Sequence, residues 1–151
     1  IRSSQALKTT RCHSAAGSMP SLQFSDVYSY ASQADVVAIP ILLRCGESTV
    51  KLIASLDTGA SSCVFAANIA EALNIDITAG VPSKFRTANS SFDAYGHEVE
   101  IVAFGVTTYA TVYFFADPHI RKNVLGRNGW LDRVRLGLVH HENLIYLDAH
   151  S

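Results

Sequence analysis

The sequence is short of the residues that mark several protein classes. Its three cysteines, Cys12, Cys45 and Cys63, are odd in number and show no CxxC spacing. Neither a disulfide framework nor a zinc ribbon is therefore indicated, and a cytoplasmic or other reducing compartment is the easier reading. No charge sign is in excess: 12 Lys plus Arg stand against 13 Asp plus Glu, a formal charge of -1. A general polyanion binder needs surplus cations to displace counterions from phosphates, so nucleic acid is not an expected partner. Long apolar runs are missing as well. The longest, Val36 to Leu43, is eight residues and contains Pro40, far below the ~20 that cross a bilayer as a helix. No basic head followed by an apolar stretch opens the chain, so neither a signal peptide nor a membrane tether is visible in it. The six histidines include His140-His141, and Cys12 is followed by His13, but no second pair stands at a recognisable ligand spacing. No metal is expected.

What is present is enough for one globular domain. With 151 residues, 48% of them hydrophobic, the chain can bury roughly two thirds of its unfolded surface and needs no covalent staples. Residues 1–33 are Ser-rich with few periodic apolar positions and read as a flexible arm or linker, leaving 34–151 as the domain. Val36 to Leu43 and Thr49 to Leu56 are β-branched and apolar around the polar, glycine-containing Arg44 to Ser48, which predicts a hairpin. Phe65, Ile69 and Leu73 then recur at i, i+4 spacing among alanines and predict a short helix. Phe85 to Ala88 and Glu98 to Phe104 flank Asn89-Ser90-Ser91-Phe92-Asp93 as a projecting hairpin, and Thr107 to Phe115 has strong strand preference. After the polar stretch Asp117 to Asn123 come the apolar Val124-Leu125-Gly126, a helical Trp130 to Arg133 and a last strand, Leu144 to Leu147.

An aspartate at the end of an apolar strand needs a reason, because desolvating a carboxylate without partners is costly. In Asp57-Thr58-Gly59 the threonine can hydrogen-bond to a neighbouring loop, and the glycine permits a tight turn and close backbone approach. The triplet can hold a carboxylate rigidly at a cleft floor, which suits acid-base chemistry. The plain alternative is a strand-to-turn with a capping Asp.

The order of segments decides between the two. An apolar strand, Asp57-Thr58-Gly59-Ala60-Ser61, a flap-like hairpin and Val124-Leu125-Gly126-Arg127-Asn128 follow one another in a pattern that resembles the retropepsin-like aspartic proteases over roughly residues 36–147. The helix after the triplet is more similar to the cellular and bacterial single-domain members than to the compact viral enzymes. The resemblance implies a mainly β fold, a closed pepsin-like barrel with one or two short helices, that is active as a homodimer on a polypeptide substrate. It implies Asp57 as the catalytic residue, Thr58 as the threonine bonding across the dimer, and Gly59 as a backbone contact to substrate. Ala60 and the flap residues Asn89, Ser90 and Ser91 would complete the substrate-binding set. Gly126 matches the glycine packed beneath the active-site loop. Arg127 matches an arginine that in viral members pairs with an acidic residue two places after the glycine, a position held here by Ser61. The implied mechanism uses two carboxylates and one water, with no metal or organic cofactor, on a strand-like substrate whose alternate side chains enter apolar pockets.

Two rivals compete with an endopeptidase: a catalytically silent dimerisation or peptide-binding module of the same fold, and an unrelated β-barrel binder of small molecules. Other features have simpler readings. Cys63 is a small buried apolar residue and Trp130 a core residue. Arg121, Lys122, Arg127, Arg133 and Arg135 form a solvated basic face. The Asn89-Ser90-Ser91 sequon is a coincidence of composition.

Overall fold

The computed structural model describes residues 17–31 and 35–150. Ten strands run in chain order: β1 (Val27–Ser29), β2 (Ala38–Cys45), β3 (Ser48–Leu56), β4 (Val64–Phe65), β5 (Val81–Arg86), β6 (Ser91–Ala103), β7 (Val106–Phe115), β8 (Val124–Leu125), β9 (Val134–Val139) and β10 (Leu144–Ala149). Among the described residues one α-helix, α1 (Ala67–Ala72), follows β4, and short 3-10 turns occupy Ile77–Ala79, Leu131–Arg133 and His140–Glu142. The larger sheet has the order β2-β3-β8-β4-β7-β6-β5, and a further β2–β6 pairing closes it into a barrel from which β5 projects on the edge of β6. Closure removes the exposed edges that an open sheet of this length would carry. A smaller sheet, β1-β10-β9, completes the fold.

Period-two burial drives the closure. Ile39, Ile41 and Leu43 of β2, Val99, Ile101 and Ala103 of β6, and Ala110, Val112 and Phe114 of β7 point into one core with Phe65, Leu125 and Trp130. At the β6–β7 turn both Phe104 and Gly105 adopt positive φ, 46° and 79°. That is natural for glycine and unfavourable for a bulky residue. The Phe104 ring stacks on Tyr28 at 4.5 Å between centroids, a contact that holds the turn and fastens β1 to the barrel.

The structure moves four boundaries. The expected arm up to residue 33 does not hold near its end: Val27, Tyr28 and Ser29 pair with Tyr146, Ile145 and Leu144 of β10, and Tyr30 is buried with its hydroxyl 2.7 Å from His140 Nδ1. Three residues are too few to show a period, and the ladder comes from a strand over a hundred residues away. Residues 1–16 and 32–34, the rest of that expectation, lie outside the described residues. The expected helix at Phe65 starts later, because Phe65 pairs in β4 with Phe114. The projecting hairpin consists of β5 and the start of β6, in register from Val81↔Gly96 to Arg86↔Ser91, so its second arm begins at Ser91 and not at Glu98. Finally, β9 was not expected. Arg133 and Arg135 made that stretch read as a charged surface, but Leu136 and Val134 turn inward while the Arg135 guanidinium lies 5.2 Å from the centre of the Phe24 ring.

Candidate active site

The candidate carboxylate sits where β3 leaves the barrel. β3 runs parallel to β8, with Ser55 opposite Val124 and Leu56 opposite Leu125. The Ser55 N–H donates to the Asn123 carbonyl at 2.8 Å and the Asp57 N–H to the Leu125 carbonyl at 3.0 Å. From the other side, the Leu56 N–H reaches the Val37 carbonyl at 2.8 Å. The backbone entering Asp57 is thus clamped on both flanks by apolar strands, which is the physical reason the preceding residues are apolar.

The turn that follows is fixed by its own residues. The Ala60 N–H donates to the Asp57 carbonyl at 3.2 Å, and the Gly59 N–H to Asp57 Oδ1 at 2.8 Å. A Cβ at Gly59 would stand 3.1 Å from that oxygen, so glycine lets the backbone amide approach the carboxylate closely. Asp57, Thr58 and Gly59 are all exposed, and no cation forms an ion pair with Asp57 among the described residues.

Beneath this turn lies a second loop, buried at Leu125 and Gly126. The Arg127 N–H donates to the Ala60 carbonyl and the Asn128 N–H to the Ser61 carbonyl, each at 2.9 Å. Gly126 is fully enclosed: a Cβ there would overlap the Ser62 carbonyl and lie 3.0 Å from the Ala60 oxygen. Cys63 joins the two loops. Its sulfur accepts the Gly126 N–H at 3.4 Å and donates toward the Asn128 carbonyl at 3.8 Å. Burial pushes its thiol up to about 11, so it stays neutral and serves as a hydrogen-bonding spacer. Asn123 adds a third tie, its Oδ1 accepting the Ala66 N–H at 3.0 Å.

The structure therefore brings Asp57, Thr58, Gly59 and Ala60 together with Gly126 and Arg127. Arg127 is exposed, and among the described residues its side chain has no ion-pair partner. The flap residues are not joined to this group. Thr87 to Ser90 form a self-contained turn, closed by Thr87 N–H to the Ser90 carbonyl at 2.8 Å and Ser90 N–H to Thr87 Oγ1 at 3.1 Å. Asn89, Ser90 and Ser91 are exposed, and no hydrogen bond among the described residues ties them to the Asp57 turn. Below the tip the hairpin is held by edge-to-face contacts, Phe85 on Tyr113 and Phe92 on Phe115.

A cavity of about 600 Å³ opens beside the carboxylate, lined by Ser55, Leu56 and Asp57, by the apolar Val36, Val37 and Ile53, and by Asp35, Arg121 and Lys122. Val36 and Ile53 are 45% and 58% exposed, uncovered apolar side chains on the rim of a charged site. A second groove of about 400 Å³, lined by Pro40, Leu42, Leu52 and Val102 with Lys51 the only charged group, holds no acid-base pair. Sequence reasoning missed the bracing role of Cys63 and Asn123 and the place of Arg121 and Lys122 in the Asp57 cavity. Adjacency to Val124-Leu125-Gly126 was the available signal for the last three.

Taken together, a closed barrel carrying Asp-Thr-Gly at a strand end, braced by an apolar-apolar-Gly loop, defines a retropepsin-like fold. A family model described as "gag-polyprotein putative aspartyl protease" matches residues 46–133, more than half of the chain. The chain belongs to that family of aspartyl proteases. Among solved structures it is similar to a retropepsin-like aspartic protease from Rickettsia conorii, at 19% identity and a TM-score of 0.53 over 77% of this chain and 100% of that one. It is also similar to EIAV protease in complex with the inhibitor HBY-793, at 17% identity and a TM-score of 0.50 over 65% of this chain and 88% of that one. A search of curated proteins finds no match. The two structural likenesses speak for the fold.

Proposed function

We propose that this protein is an aspartic endopeptidase that works as a two-fold homodimer, with Asp57 of each chain facing a common water. The observation that carries the reading is the state of Asp57: rigidly aimed by the Gly59 N–H at 2.8 Å, yet exposed and in no ion pair among the described residues. A lone carboxylate held this way does little. Its symmetry mate supplies the second group that acid-base hydrolysis needs.

Two carboxylates in close contact do not both ionise easily, so the pair keeps one proton between them, as it does in aspartic proteases generally. The ionised member takes a proton from the water as its oxygen bonds to the scissile carbonyl carbon. The protonated member gives its proton to the carbonyl oxygen. As the resulting tetrahedral diol collapses, one of its hydroxyls passes its proton to the now ionised carboxylate, the carbon–nitrogen bond breaks, and the other carboxyl gives its proton to the leaving amine, which restores the one-proton pair. The exposed Thr58 donates across to the partner loop, and Gly59 and Ala60 offer backbone to an extended substrate. Asn89, Ser90 and Ser91 at the tip of the β5–β6 hairpin close over it. Gly126 and Arg127 support the turn from below. The uncovered Val36 and Ile53 suit a site that a second chain completes.

The test is cleavage of a mixed peptide library by the wild type and by Asp57→Asn, read by mass spectrometry at mildly acidic pH. Cleavage by the wild type alone is expected. Equal cleavage by both proteins removes Asp57 from the chemistry.

A further inference from the structure

The cavity beside Asp57 carries more charge than apolar recognition of a peptide requires. Arg121 and Lys122 enter it from the segment just before β8, both exposed. Neither is engaged in an ion pair among the described residues. Facing them are two carboxylates, Asp35 and Asp57. In the dimeric site proposed above, Asp57 is committed to the shared-proton pair, so two cations per chain answer to one remaining carboxylate, Asp35. Besides the polar Ser55 and Asn123, the wall carries the apolar Val36, Val37 and Ile53. It can pack the methylene stem of a longer side chain whose charged end reaches the cations.

The backbone sets the position of these cations. Asn123, the next residue, receives the Ser55 N–H at 2.8 Å, and Val124 lies opposite Ser55. Lys122 and Arg121 are therefore one and two residues upstream of a segment locked to the strand that carries Asp57. They are placed to meet a substrate side chain next to the bond being cut and not one at a distant site.

We propose that Arg121 and Lys122 make this cavity a subsite for an acidic side chain, so that the preferred peptides carry Glu or Asp beside the scissile bond. The inference rests on the protease reading for the word scissile, and on the cavity itself for its charge preference. Charge-assisted hydrogen bonds to a carboxylate are among the stronger polar contacts, and their strength at an exposed site falls with salt.

The experiment has a binding arm and a cleavage arm, both at pH 6, where a peptide Glu, with an ordinary value of about 4.3, is ionised. Peptide libraries with randomised flanks and a central Glu, Gln or Lys are bound to full-length Asp57→Asn and followed by fluorescence anisotropy. The Glu library should bind about five- to tenfold more tightly than the Gln library, a margin that shrinks at high salt. Arg121→Gln with Lys122→Gln should bring that ratio close to one, and Arg121→Glu with Lys122→Glu should turn the preference toward Lys. In the cleavage arm, wild-type kcat/KM should follow the same order. Equal binding of Glu and Gln libraries by an otherwise wild-type cavity overturns the inference and leaves the protease reading standing wherever the wild type still cuts. Preferential binding of Glu with no cleavage of any library overturns the protease reading and upholds the charge preference of the cavity.

Discussion

The two faces of the Asp57 turn are built on opposite principles. Below it, Gly126, Cys63 and Leu125 are buried, and a Cβ at Gly126 has no room. Above it, Asp57, Thr58 and Gly59 are exposed, the flap tip hydrogen-bonds to itself among the described residues, and apolar side chains at Val36 and Ile53 stand uncovered. A single chain thus finishes the scaffold and leaves the reactive side open. Rigidity is supplied locally, and in the proposed mechanism the second carboxylate is supplied by another chain.

The contrast can be broken from either side, and the largest effect should come from above. Asp57→Asn should lower peptide hydrolysis at least about a thousandfold, within the range of acid-base catalysis, while circular dichroism and sedimentation stay unchanged. A matching loss of folded structure would place Asp57 among the scaffold residues. Next comes the floor. Gly126→Ala should cost about 3 kcal/mol or more by chemical denaturation, because backbone carbonyls cannot step aside for a methyl group. A cost below about 1 kcal/mol would mean that the two loops are not locked together.

Smaller changes sharpen the comparison. Cys63→Val, larger by about one methyl group, loses both hydrogen bonds, which should cost about 1–3 kcal/mol by leaving the Gly126 N–H unpaired and crowding a buried site. The thiol also predicts a pH effect whose sign is fixed. Its ordinary value of 9.0 is raised to about 11 by burial. Below pH 9 folded and unfolded chains both keep the proton, and above it the unfolded chain loses its proton first. Stability should therefore fall between pH 9 and 11, and that slope should be weaker in Cys63→Val denatured in parallel with the wild type. An identical slope would remove the thiol from the linkage. Smallest of all, Thr87→Ala opens the flap tip at its Ser90 contact and should change stability by under about 1 kcal/mol. Its effect should appear in KM more than in kcat, and a large kcat loss would show that the tip helps build the reacting geometry itself.

Legibility in the sequence followed the same division. The hairpin Ala38–Leu56 and the strand Val106–Phe115 were readable from their β-branched and apolar residues, and the loop Val124-Leu125-Gly126 from an apolar triplet that ends in Gly. Asp57-Thr58-Gly59 was readable because a carboxylate at an apolar strand end contradicts its surroundings. Elements whose stability comes from a distant partner left no such trace. β1 is three residues long and owes its form to β10. The first half of β6 was not legible because Asn89-Ser90-Ser91-Phe92-Asp93 reads as a turn, whereas Ser91 to Gly96 take their form from pairing with β5. Cys63 looked like an ordinary core residue, and only its 3.4 Å contact with Gly126 shows it spanning two loops. Arg121 and Lys122 read as a solvated face because sequence alone does not say that their segment borders the Asp57 cavity.

The central claim, that catalysis needs two Asp57 carboxylates from two chains, is tested most directly by mixing. A fixed amount of wild type, equilibrated with a ninefold excess of Asp57→Asn at concentrations that favour pairing, should keep only about a tenth of its activity, because random pairing leaves few all-wild-type dimers. Undiminished activity in the mixture would mean that one Asp57 suffices, and the two-carboxylate account would be wrong.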